Sequence, residues 1–305
     1  MDAVSYSGAE SMKINQPETW KQNPPIEPGE PRHRHRWISQ AQAEAIGKID
    51  HFKESEYRSI DLNELLSFYV LNFVEPLIAI TKNPRAIADI GTGYGWLAIA
   101  FALRTQARIV AVEKDEARIS AARKIAKVLG VADNIEWKIG SLAELPLHDR
   151  SFDAVYCIEV IEHTGVNQNY IRELARIAND ILVITTPNKF FPIINHDTAL
   201  PFCHWLPLRL RDFYAARFKR SSLQHNNMFW SPFIFLSALD DFERVSRFLQ
   251  FKNYGEYRQV KICSNSESKK LSGRCREYFF FLASKLGKHS IFFVPNLAST
   301  FRRRQ

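Results

Sequence analysis

Short apolar segments alternate with helical ones between residues 86 and 185, and this alternation constrains the fold more than any other feature of the chain. The apolar segments are nearly continuous hydrophobic runs, as expected for strands buried on both faces. Strands that alternate with helices form a parallel sheet in an α/β layer fold. The predicted strands are 86–90, 108–112, 135–139, 152–158 and 180–185, and the predicted helices lie near 95–104, 115–129 and 167–178.

The flanking segments divide the chain further. Residues 1–37 are proline-rich and predict a mobile arm, whereas 38–84 predict a helical region in which Asp61 is a plausible N-cap. We assign 85–284 to the main domain, with an irregular aromatic loop at 187–232 and a helix around 233–250. The strand-like segments 257–263 and 276–283 are expected to complete the sheet as an antiparallel hairpin. Residues 285–305 form a basic, apolar C-terminal tail.

Composition excludes several classes of protein. With 46% hydrophobic and 24% charged residues, the chain is globular, and its four cysteines share no short spacing typical of a zinc site or a disulfide scaffold. The longest apolar run has eight residues, and no signal-peptide pattern precedes it, so we expect a cytoplasmic protein. The net charge of +8 favours anionic partners such as nucleic acid, phosphorylated metabolites or an acidic lipid surface.

A glycine-rich turn follows the first predicted strand and carries the clearest chemical signal. Gly91, Gly93 and Gly95 permit a tight turn and a close approach of ligand to backbone. Asp89 precedes the first glycine by two positions. A carboxylate here repels a pyrophosphate but pairs with an ammonium group, which suits the methionine part of S-adenosylmethionine better than a dinucleotide. Glu113, which ends the second strand, is placed to accept hydrogen bonds from ribose hydroxyls.

These motifs, together with Leu145-Pro-Leu-x-x-x-Ser-Phe-Asp-Ala-Val, resemble class I S-adenosylmethionine-dependent methyltransferases of the ubiquinone-biosynthesis O-methyltransferase type over residues 85–188. The resemblance implies a three-layer, Rossmann-like, seven-stranded sheet with the last strand antiparallel. One departure is Ser141, where the family usually has Asp to accept the adenine amino group. The implied cofactor-binding residues are Asp89, Gly91, Thr92, Gly93, Gly95, Glu113, Ser141, Leu142 and Glu159.

The fourth strand leads into an E-x-x-E-H motif, Glu159 to His163. If a helical turn begins there, Glu159, Glu162 and His163 project from one face. The motif resembles the metal-binding sequence of small-RNA 2′-O-methyltransferases, in which a later histidine completes the site; here His196 is the residue expected in that place. The sequence therefore predicts a divalent metal site for Mg²⁺, Mn²⁺ or Zn²⁺, unless the glutamate only anchors the cofactor.

The predicted function is O-methylation of a small molecule or a lipid-linked glycan. Because a hydroxyl must lose its proton during attack, a general base or a metal is needed, and His163, His196 and His204 are the candidate catalytic residues. An RNA 2′-O-methyltransferase fits the charge and the E-x-x-E-H motif, although no appended RNA-binding module is recognisable. The motifs also leave open an NAD-dependent oxidoreductase and a non-catalytic relative that binds a nucleoside.

The C-terminal tail predicts a membrane contact. Residues 278–305 contain no Asp or Glu, and Phe301 is followed by Arg302, Arg303 and Arg304. Apolar and basic side chains in such a mixture suit binding at an anionic lipid interface, unless the tail packs on the domain instead.

Overall fold

The computed structural model describes residues 37–81, 83–194, 197–220 and 229–245, together with short pieces between 275 and 304. The strands are β1 (Ala86–Ile90), β2 (Arg108–Glu113), β3 (Ile135–Ile139), β4 (Phe152–Ile158), β5 (Ala178–Thr185), β6 (Phe242–Val245) and β7 (Ser299–Arg303). The helices are α1 (Gln40–Gly47), α2 (Leu62–Tyr69), α3 (Glu75–Ile80), α4 (Trp96–Arg104), α5 (Glu116–Val128), α6 (Gln168–Ile177), α7 (Leu208–Arg217) and α8 (Pro232–Leu236). A π-helical turn, Val70–Val74, joins α2 to α3.

The strands form one seven-stranded sheet in the order β3-β2-β1-β4-β5-β7-β6. β1 to β5 pair in parallel, and β7 is antiparallel to both β5 and β6. Alternate residues along each strand enter different cores: Ile87 packs with α4 and the N-terminal helices, whereas Ala88 packs with α6. Helices therefore cover both faces, and the predicted three-layer sheet with an antiparallel last strand is confirmed.

The prediction of which residues supply the last two strands was wrong. Residues 278–279 and 281–282 are helical instead, and β6 lies within the segment predicted as a helix at 233–250. A short apolar run fits a strand and a buried helix equally well, because periodicity alone does not distinguish them. Phe242 is buried in the core as part of β6, where it pairs with Arg303 of β7. Residues 246–250 and 257–263 lie outside the described residues.

Residues Ser299–Arg303 of the predicted C-terminal tail form β7 of the sheet, so this part of the tail packs on the domain. Phe301 is 1% exposed and sits between β5 and β6. Arg302 pairs with Asp180 at 3.3 Å, and the Arg303 guanidinium donates to the carbonyls of Ala175 and Ala178 at 2.6 and 2.8 Å. The protein's own acidic and carbonyl groups thus bind the charges of two of the three terminal arginines.

The N-terminal helices pack onto one face of the sheet. Within the described residues, one helix, Leu62–Ile80, is long and apolar enough to cross a membrane by length and composition alone, with a mean hydropathy of 1.2. Leu66, Val70 and Val74 of this helix are fully buried in the core that also contains α4. The hydroxyl of Tyr156 on β4 donates to the carbonyl of Phe73 at 3.2 Å. These residues pack the inner side of the segment against the core, and most of its other residues are partly or fully exposed.

Phe301→Ala tests the position of β7 between β5 and β6. We expect a loss of about 3–5 kcal/mol in the free energy of unfolding, because the substitution leaves a cavity between two strands in a fully buried position. Phe293, which is 44% exposed, is the matched control, and Phe293→Ala should change the stability by less than about 1 kcal/mol. Urea unfolding followed by circular dichroism measures both variants. Equal stability of the Phe301 variant and the unsubstituted protein would contradict the assignment of β7.

Candidate active site

The glycine-rich turn between β1 and α4 combines close packing with open space. Gly91, Gly93 and Gly95 have φ values of +76°, +56° and +79°, a region that side chains disfavour. A Cβ at Gly91 would lie 2.4 Å from Val160 Cγ2, and one at Gly95 would lie 2.6 Å from Trp137 Cη2. A Cβ at Gly93 would meet nothing within 4 Å. Gly91 and Gly95 are therefore required by packing, whereas Gly93 borders open space.

Asp89 places a buried carboxyl at the base of this turn. The residue is 3% exposed, and the hydroxyl of Thr92 donates to its Oδ2 at 2.5 Å. Burial raises the pKa of Asp89 to about 7, although the hydrogen bonds from Thr92 and from the backbone of Ala98 oppose this shift. An ionised carboxylate in such a place is stabilised by a cationic partner, so the site favours an ammonium ligand.

Glu113 connects the end of β2 to the glycine-rich turn. Its Oε2 accepts from the amide of Gly93 at 3.0 Å, and its Oε1 accepts from the amides of Lys114 and Asp115 at 2.9 and 3.1 Å. The side chain therefore holds the turn in place. Because a carboxylate oxygen can accept two hydrogen bonds, Oε2 keeps capacity for a ribose hydroxyl. The role predicted for Glu113 in nucleoside binding stays a prediction.

Ser141 and Leu142 follow β3 at the same edge of the sheet. Ser141 is exposed, and its hydroxyl oxygen accepts from the amide of Ala143 at 3.2 Å. Leu142 is buried in the core beneath it. Gly140 fits between Val112 and Pro146, where a Cβ would lie 2.9 Å from Val112 Cγ1. Ser141 thus lies on the surface, and its contact with adenine stays a prediction.

The E-x-x-E-H segment does not form the predicted single face. Glu159 has a φ of +54° and precedes the helical turn, which covers only Ile161–His163. Its amide donates to the carbonyl and the hydroxyl of Thr185 at 3.1 and 3.0 Å. Glu162 is 3% exposed, whereas His163 is exposed to solvent. Adjacent residues in a tight turn point in different directions, so Glu162 and His163 are separated.

The predicted metal site is not assembled from the residues that the structure describes. Within them, no group of three or more His, Cys, Asp or Glu side chains is arranged to hold a metal ion, and His196 lies outside them. Burial and the neighbouring charge of Glu159 raise the pKa of Glu162 to about 8. Glu159 and Glu162 thus lie beside each other, and the predicted metal site stays a prediction.

The loop after β5 is attached to the same edge of the sheet. The indole of Trp230 donates to the carbonyl of Ile161 at 3.3 Å, and Lys189 donates its amide to the carbonyl of Trp230 at 3.0 Å. The imidazole Nε2 of His204 lies 3.0 Å from the carbonyl oxygen of Lys189. Because a carbonyl only accepts, Nε2 carries the proton and Nδ1 is the nitrogen that can accept one. Burial also lowers the pKa of His204, which favours the neutral form of the imidazole.

Two tyrosines lie at the site although neither was predicted to be functional. Tyr69 of α2 is half-buried; burial raises the pKa of its phenol, and the negative charges of Asp89 and Glu159 add to this shift. The phenol thus lies within electrostatic range of both carboxyls. Tyr94, inside the glycine-rich turn, places its hydroxyl 3.0 Å from His51 Nδ1. In the sequence, Tyr69 reads as one more apolar position of an amphipathic helix, and only the packing of α2 brings it to the site.

Comparisons with known proteins agree with this geometry. Residues 87–180 match the family described as "Methyltransferase domain". Norajmaline N-methyltransferase of Rauvolfia serpentina is 31% identical over 98 residues, 32% of this chain and 34% of the relative. A probable S-adenosylmethionine-dependent methyltransferase of Mycobacterium tuberculosis is 35% identical over 118 residues, 38% of this chain and 40% of the relative. The chain thus spans only about a third to two fifths of the length of these relatives.

Among solved structures, magnesium protoporphyrin IX methyltransferase from Synechocystis PCC 6803, with bound SAH, is similar. It has a TM-score of 0.44 and 16% identity, with 68% of this chain and 85% of that chain covered. The sheet order, the glycine-rich turn with its buried Asp89 and the matched residues 87–180 lead to one conclusion. The part of the chain around residues 87–180 is similar to S-adenosylmethionine-dependent methyltransferases.

Proposed function

We propose that the protein transfers the methyl group of S-adenosylmethionine to a hydroxyl of a small molecule or a lipid-linked glycan. The observation that supports this best is the buried carboxyl of Asp89 beside the open space at Gly93. Both lie at the carboxyl end of β1, and ligands of open α/β sheets bind at that edge. The residues fit the cofactor because an ammonium group would neutralise Asp89 and the small turn admits a nucleoside.

The groups around this space suit the transfer to oxygen. When bound, S-adenosylmethionine supplies an electrophilic methyl group attached to a sulfonium. The acceptor oxygen bonds to the methyl carbon, the carbon–sulfur pair stays on sulfur, and the hydroxyl proton leaves to a base. His204 is our candidate for the base because its imidazole is neutral and its Nδ1 can accept a proton. Tyr69 and Glu159 are candidates for orienting the acceptor and the cofactor.

Our choice of oxygen as the acceptor atom rests on the sequence and the chemistry of the site, and not on the relatives. One relative is named for N-methylation and another as a probable tocopherol O-methyltransferase. The part of the chain that matches them is therefore found with both kinds of acceptor atom. We favour oxygen because no Asn/Asp-Pro-Pro-Tyr/Phe sequence follows β4, which disfavours an amide or adenine nitrogen, and because no Pro-Cys follows β5. Transfer of labelled methyl to a panel of phenols and glycosyl lipids, with matched amines as controls, tests this choice. Labelling of amines alone would contradict it.

Cofactor affinity should depend on Asp89 and on pH. The pKa of this carboxyl in the folded protein is about 7, above its ordinary value of 3.8, so the fraction that is ionised increases as the pH rises towards neutrality. Since the ammonium group selects the ionised form, affinity for S-adenosylhomocysteine should rise by up to about tenfold per pH unit below that pKa. Asp89→Asn should weaken binding by about 1.5–3 kcal/mol at neutral pH and abolish the slope.

Glu162→Gln is the matched control for this prediction, because Glu162 is the other buried carboxyl with a raised pKa among the described residues. That variant should keep the pH slope of cofactor binding. Calorimetry at several pH values measures all three proteins. An unchanged affinity and slope in the Asp89 variant would overturn the assignment of Asp89 as the ammonium partner.

Removal of the proposed base should slow methyl transfer without weakening the binding of the cofactor. We expect His204→Gln to lower kcat by about 10²–10⁴-fold, because the hydroxyl proton then has no acceptor, while S-adenosylhomocysteine binds as before. Tyr69→Phe removes only the phenol oxygen and should have a smaller effect, mainly on KM. Initial rates with the best acceptor of the panel, followed from acid to alkaline pH, provide the measurement. A His204 variant with normal kcat would exclude this residue as the base.

A further inference from the structure

The segment between β5 and β6 presents a large apolar surface to solvent. The exposed apolar side chains lie in residues 202–218, which comprise α7, the turn before it and the residue after it. We call them the α7 surface. Phe213 is 73% exposed and Leu210 is 56% exposed. A soluble domain rarely leaves so many large apolar side chains together in water unless they contact a partner. The exposed apolar residues of the α7 surface are Phe202, Trp205, Leu206, Leu208, Leu210, Phe213 and Phe218.

α7 buries a charged pair on its inner face and exposes apolar and charged side chains together on the rest of its surface. Its inner face carries Arg211, whose guanidinium pairs with the carboxylate of Asp197 at 2.8 Å; the two side chains are 7% and 1% exposed. Ala215, one turn later, is also buried. Leu210 and Phe213 point outward instead. A buried ion pair thus holds the inner face, while Leu210 and Phe213 share the exposed surface with charged side chains.

The charges on the α7 surface favour one kind of partner. Arg209, Arg217, Lys219 and Arg220 are all exposed, and Asp212 is the acidic residue among them. Apolar side chains bordered by cations suit the interface of an anionic bilayer, where the rings enter the acyl boundary and the cations meet the headgroups. A second copy of the chain is a poorer occupant, because an isologous contact would bring the same cations together.

The α7 surface lies next to the loop that borders the proposed active site. Trp205 Nε1 donates to the carbonyl of Lys189 at 2.6 Å, and His204 bonds to the same oxygen. Lys189 in turn follows the end of β5, at the edge of the sheet that carries the glycine-rich turn. The α7 surface is therefore joined directly to the loop at the edge of the proposed active site.

We propose that the α7 surface docks the protein onto an anionic lipid bilayer, with Leu210 and Phe213 in the interface and the neighbouring arginines and lysine on the headgroups. This contact does not depend on the proposed methyl transfer. It replaces the tail, whose Phe301 is buried, as the membrane-contacting part of the chain.

Sedimentation with vesicles of phosphatidylcholine, with and without phosphatidylserine, tests the proposal. The full chain should bind the phosphatidylserine vesicles at low salt. Leu210→Ser/Phe213→Ser should lower the partition coefficient by at least about tenfold, because two apolar side chains no longer enter the interface. The matched control is Ile60→Ser/Phe68→Ser, which removes two exposed apolar side chains, 41% and 44% exposed, from the N-terminal helical region. The control should bind like the unsubstituted protein.

The cations are tested separately. Arg217→Gln/Lys219→Gln/Arg220→Gln should reduce binding to phosphatidylserine vesicles on the order of 100-fold. Added salt should likewise weaken the vesicle binding of the unsubstituted protein. Calorimetry with S-adenosylhomocysteine shows whether each variant keeps its fold and cofactor site, so that a failure of docking is distinguished from a failure of methyl transfer.

Two results would overturn the proposal. One is equal vesicle binding by the Leu210/Phe213 variant and the unsubstituted protein. The other is a dimer, measured by light scattering, that the same substitutions dissociate while no form of the protein binds vesicles. The second result would assign the α7 surface to a contact between two copies of the chain.

Discussion

Strands buried on both faces have no free side chains along their length, so a sheet of this kind can present chemistry only where its strands end. β1, β2, β3, β4 and β5 run in the same direction, and their carboxyl ends therefore meet at one edge. Asp89 lies next to last in β1, Glu113 ends β2, and Glu159 directly follows β4. The position of the site is thus a consequence of the direction of the strands. The loops at this edge add further side chains, such as His204.

Two carboxyls near this edge, those of Asp89 and Glu162, are costly to bury without a cationic partner. The raised pKa values of Asp89 and Glu162 record that cost, since burial penalises the charged form. Asp89 accepts hydrogen bonds from Thr92 and from the backbone of Ala98, whereas Glu162 is buried beside another carboxyl. The two buried carboxyls therefore lie in different surroundings, one among hydrogen-bond donors and the other beside a second carboxyl.

The central part of the fold was predictable because local signals and packing agree there. The strands from 86 to 185 are apolar runs bounded by glycine, proline or polar residues, and the turn at Gly91–Gly95 leaves little freedom for its backbone. The last strands were not predictable, since Ser299–Arg303 contains one large apolar residue beside arginines. Its place in the sheet depends on pairing with β5 and on acceptors such as Asp180, which lie far away in the sequence. Tyr69 and the split between Glu162 and His163 likewise depend on packing and on a backbone with positive φ at Glu159.

The position of β7 also affects how the protein reaches its folded state. β7 fills the gap between β5 and β6, yet it is synthesised more than 100 residues after β5. Until it emerges, β5 leaves an unpaired, strongly apolar edge, which is a template for aggregation. Pairing over such a sequence distance is slow, because a long loop must close before the contact is formed. Production of this protein is therefore expected to depend on chaperones that shield the edge of β5 during synthesis.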